Sequence, residues 1–211
     1  MRYATAPQNH RLGGCIVVLL CAAAMQVTAP AWAQTANNRA EAATAVSPAK
    51  LAPEDQRPEI GNLLPQHQLV GKSRLSVWGF QVYDARLWAA PGFKADNLAA
   101  QPFALELAYL RDFANGDVAE RSIVEMRRSA TISEAQAKAW TTEMLRVIPD
   151  VKKGDRIMGV NRPGVGAQFW VNGKPSGEIR DTEFARLFFG IWLSPKTSEP
   201  KLRTALLAGA L

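Results

Sequence analysis

Alternation of apolar and smaller or charged residues predicts three strands in the first half of the compact region. Residues 103–110 (FALELAYL) alternate with a period of two, which is typical of a half-buried strand. Residues 69–78 and 81–88 are also strand-like and are joined through Gly79, which favours a tight turn or a bulge. Pro91-Gly92 then breaks the chain and ends this group.

Three more strands follow after a helical stretch. Residues 156–161 form a short strand-like segment, and Pro163-Gly164 turns the chain behind it. Residues 167–171 and 176–180 flank Asn172-Gly173. Because this dipeptide tolerates the positive φ angles of a tight turn, the pair is predicted to form a β-hairpin.

Helical periodicity and capping signals predict two pairs of helices. The first pair begins at capping boxes, in which a side chain at the helix start and one three residues later each cap a backbone N–H. These boxes are Asp117 with Glu120 and Ser133 with Gln136, and Pro149 ends the second helix. The second pair covers residues 182–193, which are very apolar, and residues 198–208, with Pro200 in the first turn.

The order of these elements predicts an α+β fold. Links of hairpin length favour antiparallel pairing, because parallel neighbours need long crossovers. We therefore expect an open-faced β-sandwich, in which helices are layered on one face of an antiparallel sheet.

The first 33 residues have the pattern of a cleaved signal peptide. Arg2 and Arg11 form a positive start, and residues 15–24 form an apolar run of about 10 residues, short of the ~18 that a spanning helix needs. Ala31-Trp32-Ala33 is a small-x-small cleavage site. We expect cleavage after Ala33 and a periplasmic location, with an N-terminal membrane anchor as the alternative.

The remaining chain divides into a tether and one domain. Residues 34–58 are rich in Ala, Asn, Pro and Glu and offer too little apolar surface to offset the entropy of ordering, so they are predicted to be a flexible linker. Residues 59–211 are predicted to form the domain. No later segment has ~18 consecutive apolar residues, so no transmembrane span is expected.

Composition excludes several functions. The chain of 211 residues carries a formal charge of +6, and without the leader 23 basic residues face 19 acidic ones. This surplus suits a domain near an anionic membrane, but it is too weak to predict a nucleic-acid partner. Both cysteines, Cys15 and Cys21, lie in the leader, which leaves no disulfide, Cys-ligated metal or Cys nucleophile in the rest.

Signatures of metal sites and nucleotide cofactors are missing as well. His67 is the one histidine outside the leader, and we interpret it as a solvated residue ahead of a strand. Gly164-Val165-Gly166 lacks the third glycine and the following helix of a dinucleotide-binding loop. We expect no metal and no cofactor.

Polar residues within the apolar strands remain as candidates. Alternation places Asp84, Arg86 and Trp88 on one face, and Arg74 shares a face with Trp78 on the neighbouring strand. A charge on a packed face is costly unless it is paired. These residues either form ion pairs on an open face of the sheet, or place an arginine in an apolar pocket to grip an acidic head group.

Several stretches of the chain resemble the chalcone isomerase superfamily, and in particular its bacterial chalcone isomerase-like branch. They are GKSRLSVWGFQVYDARLW, LRDFANGDVAERSIVEM, AQAKAWTTEMLRVIPDVKKGDRI and DTEFARLFFGIWLSPKTSEPKLRTALL, together covering about residues 69–207. The resemblance implies the open-faced sandwich and a ligand cleft between sheet and helices. Enzymatic members cyclise a chalcone to a flavanone, whereas other members bind fatty acids through a retained arginine.

The resemblance also implies roles for particular residues. Arg74 best matches the family arginine, Tyr83 lies near the position of a strand threonine, and Asp181 falls at the hydroxyl position of the late helix. The family's catalytic tyrosine and asparagine have no counterpart here. We therefore expect binding of a small apolar acid, a fatty acid or a phenolic acid, by residues that provide a cationic grip and apolar walls: Arg74, Tyr83, Arg86, Tyr109, Phe184 and Phe188.

Two alternatives stay open. In the first, the protein is an isomerase acting on a chalcone-like phenolic enone, with Arg74 stabilising the developing anion. In the second, it is an interaction or scaffold module whose late apolar helix faces a partner protein or the membrane surface. A structure without a cavity under that helix would favour the scaffold.

Overall fold

The computed structural model describes residues 55–210 and contains a single six-stranded sheet in that range. Each strand pairs antiparallel with the next, so the spatial order is the chain order. The strands are β1 (Gln68–Val77), β2 (Phe80–Ala89), β3 (Phe103–Tyr109), β4 (Arg156–Arg162), β5 (Gly166–Val171) and β6 (Lys174–Ile179). The leader and residues 34–54 of the predicted linker lie outside the described residues.

Two of the links between strands are two-residue hairpin turns. Trp78-Gly79 joins β1 to β2, and Asn172-Gly173 joins β5 to β6. All four turn residues have positive φ angles, as the favoured hairpin turns require. Both predicted turn positions are confirmed.

Four helices complete the fold: α1 (Asn115–Met126), α2 (Glu134–Val147), α3 (Thr182–Leu193) and α4 (Pro200–Leu206). The capping box of Ser133 and Gln136 is present at the start of α2. The predicted box of Asp117 and Glu120 is wrong, because the N-cap of α1 is Ala114, three residues before Asp117. The Asp150 side chain accepts a hydrogen bond from the Asn115 N–H at 2.8 Å, so a neighbouring loop caps this helix.

The main core lies between the sheet and the helices. Its largest fully buried members include Phe103 and Phe169 from the sheet and Phe184 and Leu187 from α3. This arrangement confirms the predicted α+β open-faced sandwich.

A second, smaller core covers the opposite face of the sheet. Ile60 and Leu64, from the segment ahead of β1, pack on Trp88, Met158 and other strand residues. Asp55 and Arg57, which were predicted to lie in the flexible linker, are buried against the same face. The boundary predicted at residues 58 and 59 therefore needs correction, since packing already includes residue 55.

Polar burial explains this earlier start. Glu106 on β3 is fully buried, and the Arg57 guanidinium donates two hydrogen bonds to its carboxylate, at 2.6 and 2.5 Å. A buried carboxylate needs such a partner, whereas the prediction considered only apolar surface. Within residues 55–210 no helix is long and apolar enough to cross a membrane.

Candidate ligand cavity

A cavity of about 710 Å³ lies between the sheet and the helices, towards the β1–β2 hairpin. Its walls come mainly from β1 to β3, α1 and α3. The lining side chains are Leu75, Val77, Trp78, Phe80, Val82, Tyr83, Leu107, Tyr109, Arg111, Asp112, Phe113, Asp117, Val118, Arg121, Ser122, Glu125, Ile148, Ile157, Phe188, Ile191, Trp192, Ser198 and Glu199. Most of them are apolar, and the charged ones come from the loop after β3, from along α1 and from the N-cap of α4.

Strand alternation explains which side chains reach the cavity. Leu75, Tyr83 and Tyr109 lie opposite one another across the three neighbouring strands β1, β2 and β3. Because successive residues of a strand point to opposite faces, the neighbours Arg74 and Asp84 point away from the helices. The Tyr83 and Tyr109 rings meet edge to face, with centroids 6.1 Å apart.

The two tyrosines provide neutral hydroxyl groups. The Trp192 indole N–H donates to the Tyr83 hydroxyl at 2.9 Å, and burial raises the pKa of Tyr83 to about 12. Burial, with a smaller contribution from Tyr83, also raises the pKa of Tyr109 above its ordinary value. Both phenols are therefore protonated at neutral pH.

Within residues 55–210 the Tyr109 hydroxyl has no hydrogen-bond partner. Its oxygen is also not completely buried. This hydroxyl is therefore free to donate to a molecule in the cavity.

Two arginines lie at the cavity. Arg121 is already engaged, because its guanidinium is 2.5 Å from the buried carboxylate of Glu125, one helical turn further along α1. The Arg111 guanidinium carbon lies 5.0 Å from the centroid of the Phe80 ring, and within residues 55–210 Arg111 forms no ion pair. Arg111 is thus the better placed of the two to bind an anion.

Carboxylates are present at the same rim. Asp112 pairs with Lys152 at 3.3 Å. A hydrogen bond from the backbone N–H of Lys153 is the largest cause that lowers the pKa of Asp112. Asp117 and Glu199 also line the cavity. The rim therefore carries both signs of charge around an apolar interior.

Comparison with known proteins identifies the fold. A sequence profile of the chalcone isomerase-like family matches residues 66–208. The chain belongs to the chalcone isomerase-like family. An uncharacterised protein of Haemophilus influenzae is 28% identical over 132 residues, which cover 62% of this chain and 63% of the relative, less than two thirds of its length.

A solved structure shares the chalcone isomerase-like architecture. A fatty-acid binding protein of Arabidopsis thaliana superposes with a TM-score of 0.53 and 11% sequence identity. The superposition covers 68% of this chain and 87% of the plant protein. At this identity the likeness shows the fold.

The structure brings three of the six predicted site residues of this chalcone isomerase-like domain together. Tyr83, Tyr109 and Phe188 line the cavity. Phe184 lies behind it, because its fully buried ring stacks on Phe188 with centroids 5.3 Å apart. Phe184 therefore shapes the wall without lining the cavity.

The position predicted for Arg74 needs correction. Its guanidinium donates to both carboxylate oxygens of Asp84, at 2.6 and 2.9 Å, and its side chain is 47% exposed. The physical reason is the strand register, which points Leu75 into the cavity and Arg74 to the other face. Of the two interpretations left open by the sequence, the ion pair on the sheet surface is the one observed.

Arg86 also lies on the face away from the helices. It is 3.0 Å from Asp55 and 3.8 Å from Glu106, so it belongs to the ion cluster under residues 55–64 and does not line the cavity. Neither Arg111 nor Trp192 is among the six site residues predicted from the sequence, although both line the cavity. Arg111 had a usable signal, since it continues the alternation of Leu107 and Tyr109, whereas the bond from Trp192 to Tyr83 depends on tertiary packing.

Proposed function

We propose that this domain binds a small apolar acid in the cavity between the sheet and the helices, without transforming it. The observation that carries the proposal is the cavity itself, whose volume of about 710 Å³ falls within the few hundred to one thousand Å³ usual for small-molecule sites. The fatty-acid binding of the Arabidopsis relative supports the same ligand class.

The apolar part of the ligand would occupy the interior. Leu107, Ile157 and Phe188 are buried apolar side chains that line it. Burying apolar ligand surface contributes roughly 25 cal/mol per Å², so a long acyl chain or an aromatic ring gains affinity from these contacts alone.

The acidic head would lie at the rim, between Tyr109 and Arg111. The Tyr109 hydroxyl is an unused donor, and Arg111 is an arginine without an ion pair among the described residues. A guanidinium binds a carboxylate or phenolate with two parallel hydrogen bonds. Arg111 thereby takes the role that the resemblance had assigned to Arg74.

Binding of a fluorescent fatty-acid analogue tests the proposal. In 11-(dansylamino)undecanoic acid titrations, Val118→Trp on α1 fills the cavity and weakens binding at least about tenfold. Val124→Trp, the same substitution at a 48% exposed position of the same helix, is the control and binds like the wild type. Equal affinity in the two variants, or no binding by the wild type, would contradict the proposal.

Neither of the two alternative functions gains support from the cavity or from the position of Arg74. The scaffold alternative was tied to a missing cavity under α3, and a cavity is present there. The isomerase alternative assigned anion stabilisation to Arg74, which points to the other face. Cyclisation of naringenin chalcone faster than in buffer, and lost in Arg111→Ala, would restore the isomerase.

We further propose export to the periplasm through cleavage after Ala33. The support is the sequence pattern of residues 1–33, with basic residues, an apolar run and a small-x-small site. N-terminal sequencing of the protein from a periplasmic fraction should begin at Gln34. A chain retaining the leader in the membrane fraction would instead indicate an anchor.

A further inference from the structure

The β1–β2 hairpin ends in an unusual turn. Trp78 and Gly79 have φ angles of 50° and 83°, and such left-handed backbone is unfavourable for a bulky residue. The β5–β6 hairpin makes the equivalent turn with Asn172-Gly173, at φ angles of 51° and 78°, using the residues that prefer it. Asparagine would suit the backbone at position 78 better than tryptophan does. The presence of Trp78 there therefore points to a role beyond turning the chain.

The same hairpin exposes apolar side chains. Trp78 is 94% exposed, Phe80 60% and Val77 38%. In the part of the chain that the structure describes, the other large apolar residues with comparable exposure are Val124 and Leu145, which lie on helices. Three of the five are therefore gathered at one hairpin tip, which comprises residues 77–80.

A cation accompanies the hairpin tip. The Arg111 guanidinium lies over the Phe80 ring and has no ion-pair partner within residues 55–210. Asp112, the acidic neighbour of Arg111, is paired with Lys152. Among the described residues, the tip therefore presents a positive charge without an ion-pair partner directly beside exposed aromatic surface.

From these observations we infer that the hairpin tip docks on the surface of a lipid bilayer containing anionic phospholipid. Tryptophan favours the boundary between hydrocarbon and head groups, because its ring is apolar and its N–H is polar. Arg111 would bind lipid phosphate beside it. This docking goes beyond the proposed ligand binding and does not need an occupied cavity.

The small size of the tip favours a bilayer over a protein partner. A stable protein interface buries about 20–30 residues on each side, whereas the exposed apolar surface here comes from three side chains on one turn. Membrane binding scales with the apolar area buried in the bilayer plus the attraction of cations to anionic lipid, so each exposed aromatic side chain and the one charge add to it. The tip residues also line the cavity, so docking would bring its mouth to the source of an apolar ligand.

Vesicle flotation with the full chain tests the docking. The wild type should float with vesicles of phosphatidylcholine and phosphatidylglycerol, and Trp78→Asn should weaken this binding at least about tenfold. Asparagine keeps the turn, as Asn172 shows. Leu145→Asn, at a 40% exposed position on α2, is the matched control and should bind like the wild type.

A variant that removes the charge of Arg111 tests whether the hairpin tip binds anionic lipid. Arg111→Gln should weaken binding to anionic vesicles about fivefold and leave binding to pure phosphatidylcholine unchanged. Val118→Trp, which fills the cavity, should float like the wild type, so failure of ligand binding and failure of docking are separable. Absence of flotation, or equal loss of binding in Trp78→Asn and Leu145→Asn, would overturn the inference. So would a dimer that sedimentation detects without lipid and that dissociates in Trp78→Asn.

Discussion

Replacing Glu106 by glutamine should cost the domain a large part of its stability. Glu106 is fully buried on β3, and its carboxylate receives two hydrogen bonds from Arg57 and one from Arg156 at 2.5 Å. Arg86 is 3.8 Å away. The Glu106→Gln change removes the negative charge and leaves these guanidinium groups facing one another.

The expected magnitude follows from the burial of this cluster. Removing one partner of a buried ion pair costs about 3–5 kcal/mol, and we expect about 3 kcal/mol here, because glutamine keeps the shape and one acceptor oxygen. For a domain of this size each kcal/mol shifts the melting temperature by roughly 2–4 °C. The melting temperature should therefore fall by about 6–12 °C.

Urea denaturation and thermal melting followed by circular dichroism measure this change. Asp84→Asn is the matched control, because it removes the carboxylate of another ion pair with arginine on the same face of the sheet. In that pair the arginine, Arg74, is 47% exposed. Exposed pairs contribute little, so the control should melt close to the wild type. If Glu106→Gln and Asp84→Asn shift the melt equally, the argument from burial is wrong.

Two further predictions concern the hairpin tip and the cavity. Trp78→Asn should raise the free energy of unfolding by about 0.5–1 kcal/mol in urea, because it relieves left-handed strain; a loss of stability would show that the tryptophan side chain supports the fold. In ultraviolet titration, the Tyr83 phenol should ionise near its raised pKa of about 12, a component absent in Tyr83→Phe. The pKa of Tyr83 in the folded state exceeds its unfolded value of about 10. The contribution of Tyr83 to stability is therefore complete below pH 10 and falls as pH rises towards 12. If Tyr83→Phe has the same dependence of stability on pH between these values, the phenol is not buried as described.

The strands and hairpin turns were predictable because their signals are local. Alternation in residues 103–110 and the Asn172-Gly173 dipeptide depend on the geometry of a few neighbouring residues. The start of α1 at Asn115 was not predictable in this way, since its cap comes from Asp150, 35 residues away.

The candidate site was predictable only in part, for a reason that Arg74 illustrates. Alternation shows that Arg74 and Leu75 point to opposite faces, but it does not show which face meets the helices. The family resemblance favoured Arg74, whereas packing placed Leu75 at the cavity. Glu106 shows the same limit, because its full burial depends on residues 55–64 covering the outer face.

The most direct test of ligand binding in the cavity is to locate a bound fatty acid. Addition of a spin-labelled stearic acid to methyl-labelled protein broadens the signals of methyl groups near the label. The account predicts the strongest broadening at Leu107, Val118 and Ile157, which line the cavity, and weaker broadening at Ile60 and Val160 in the core on the other face. Broadening centred on Ile60 and Val160, or no broadening at any of these methyl groups, would contradict it.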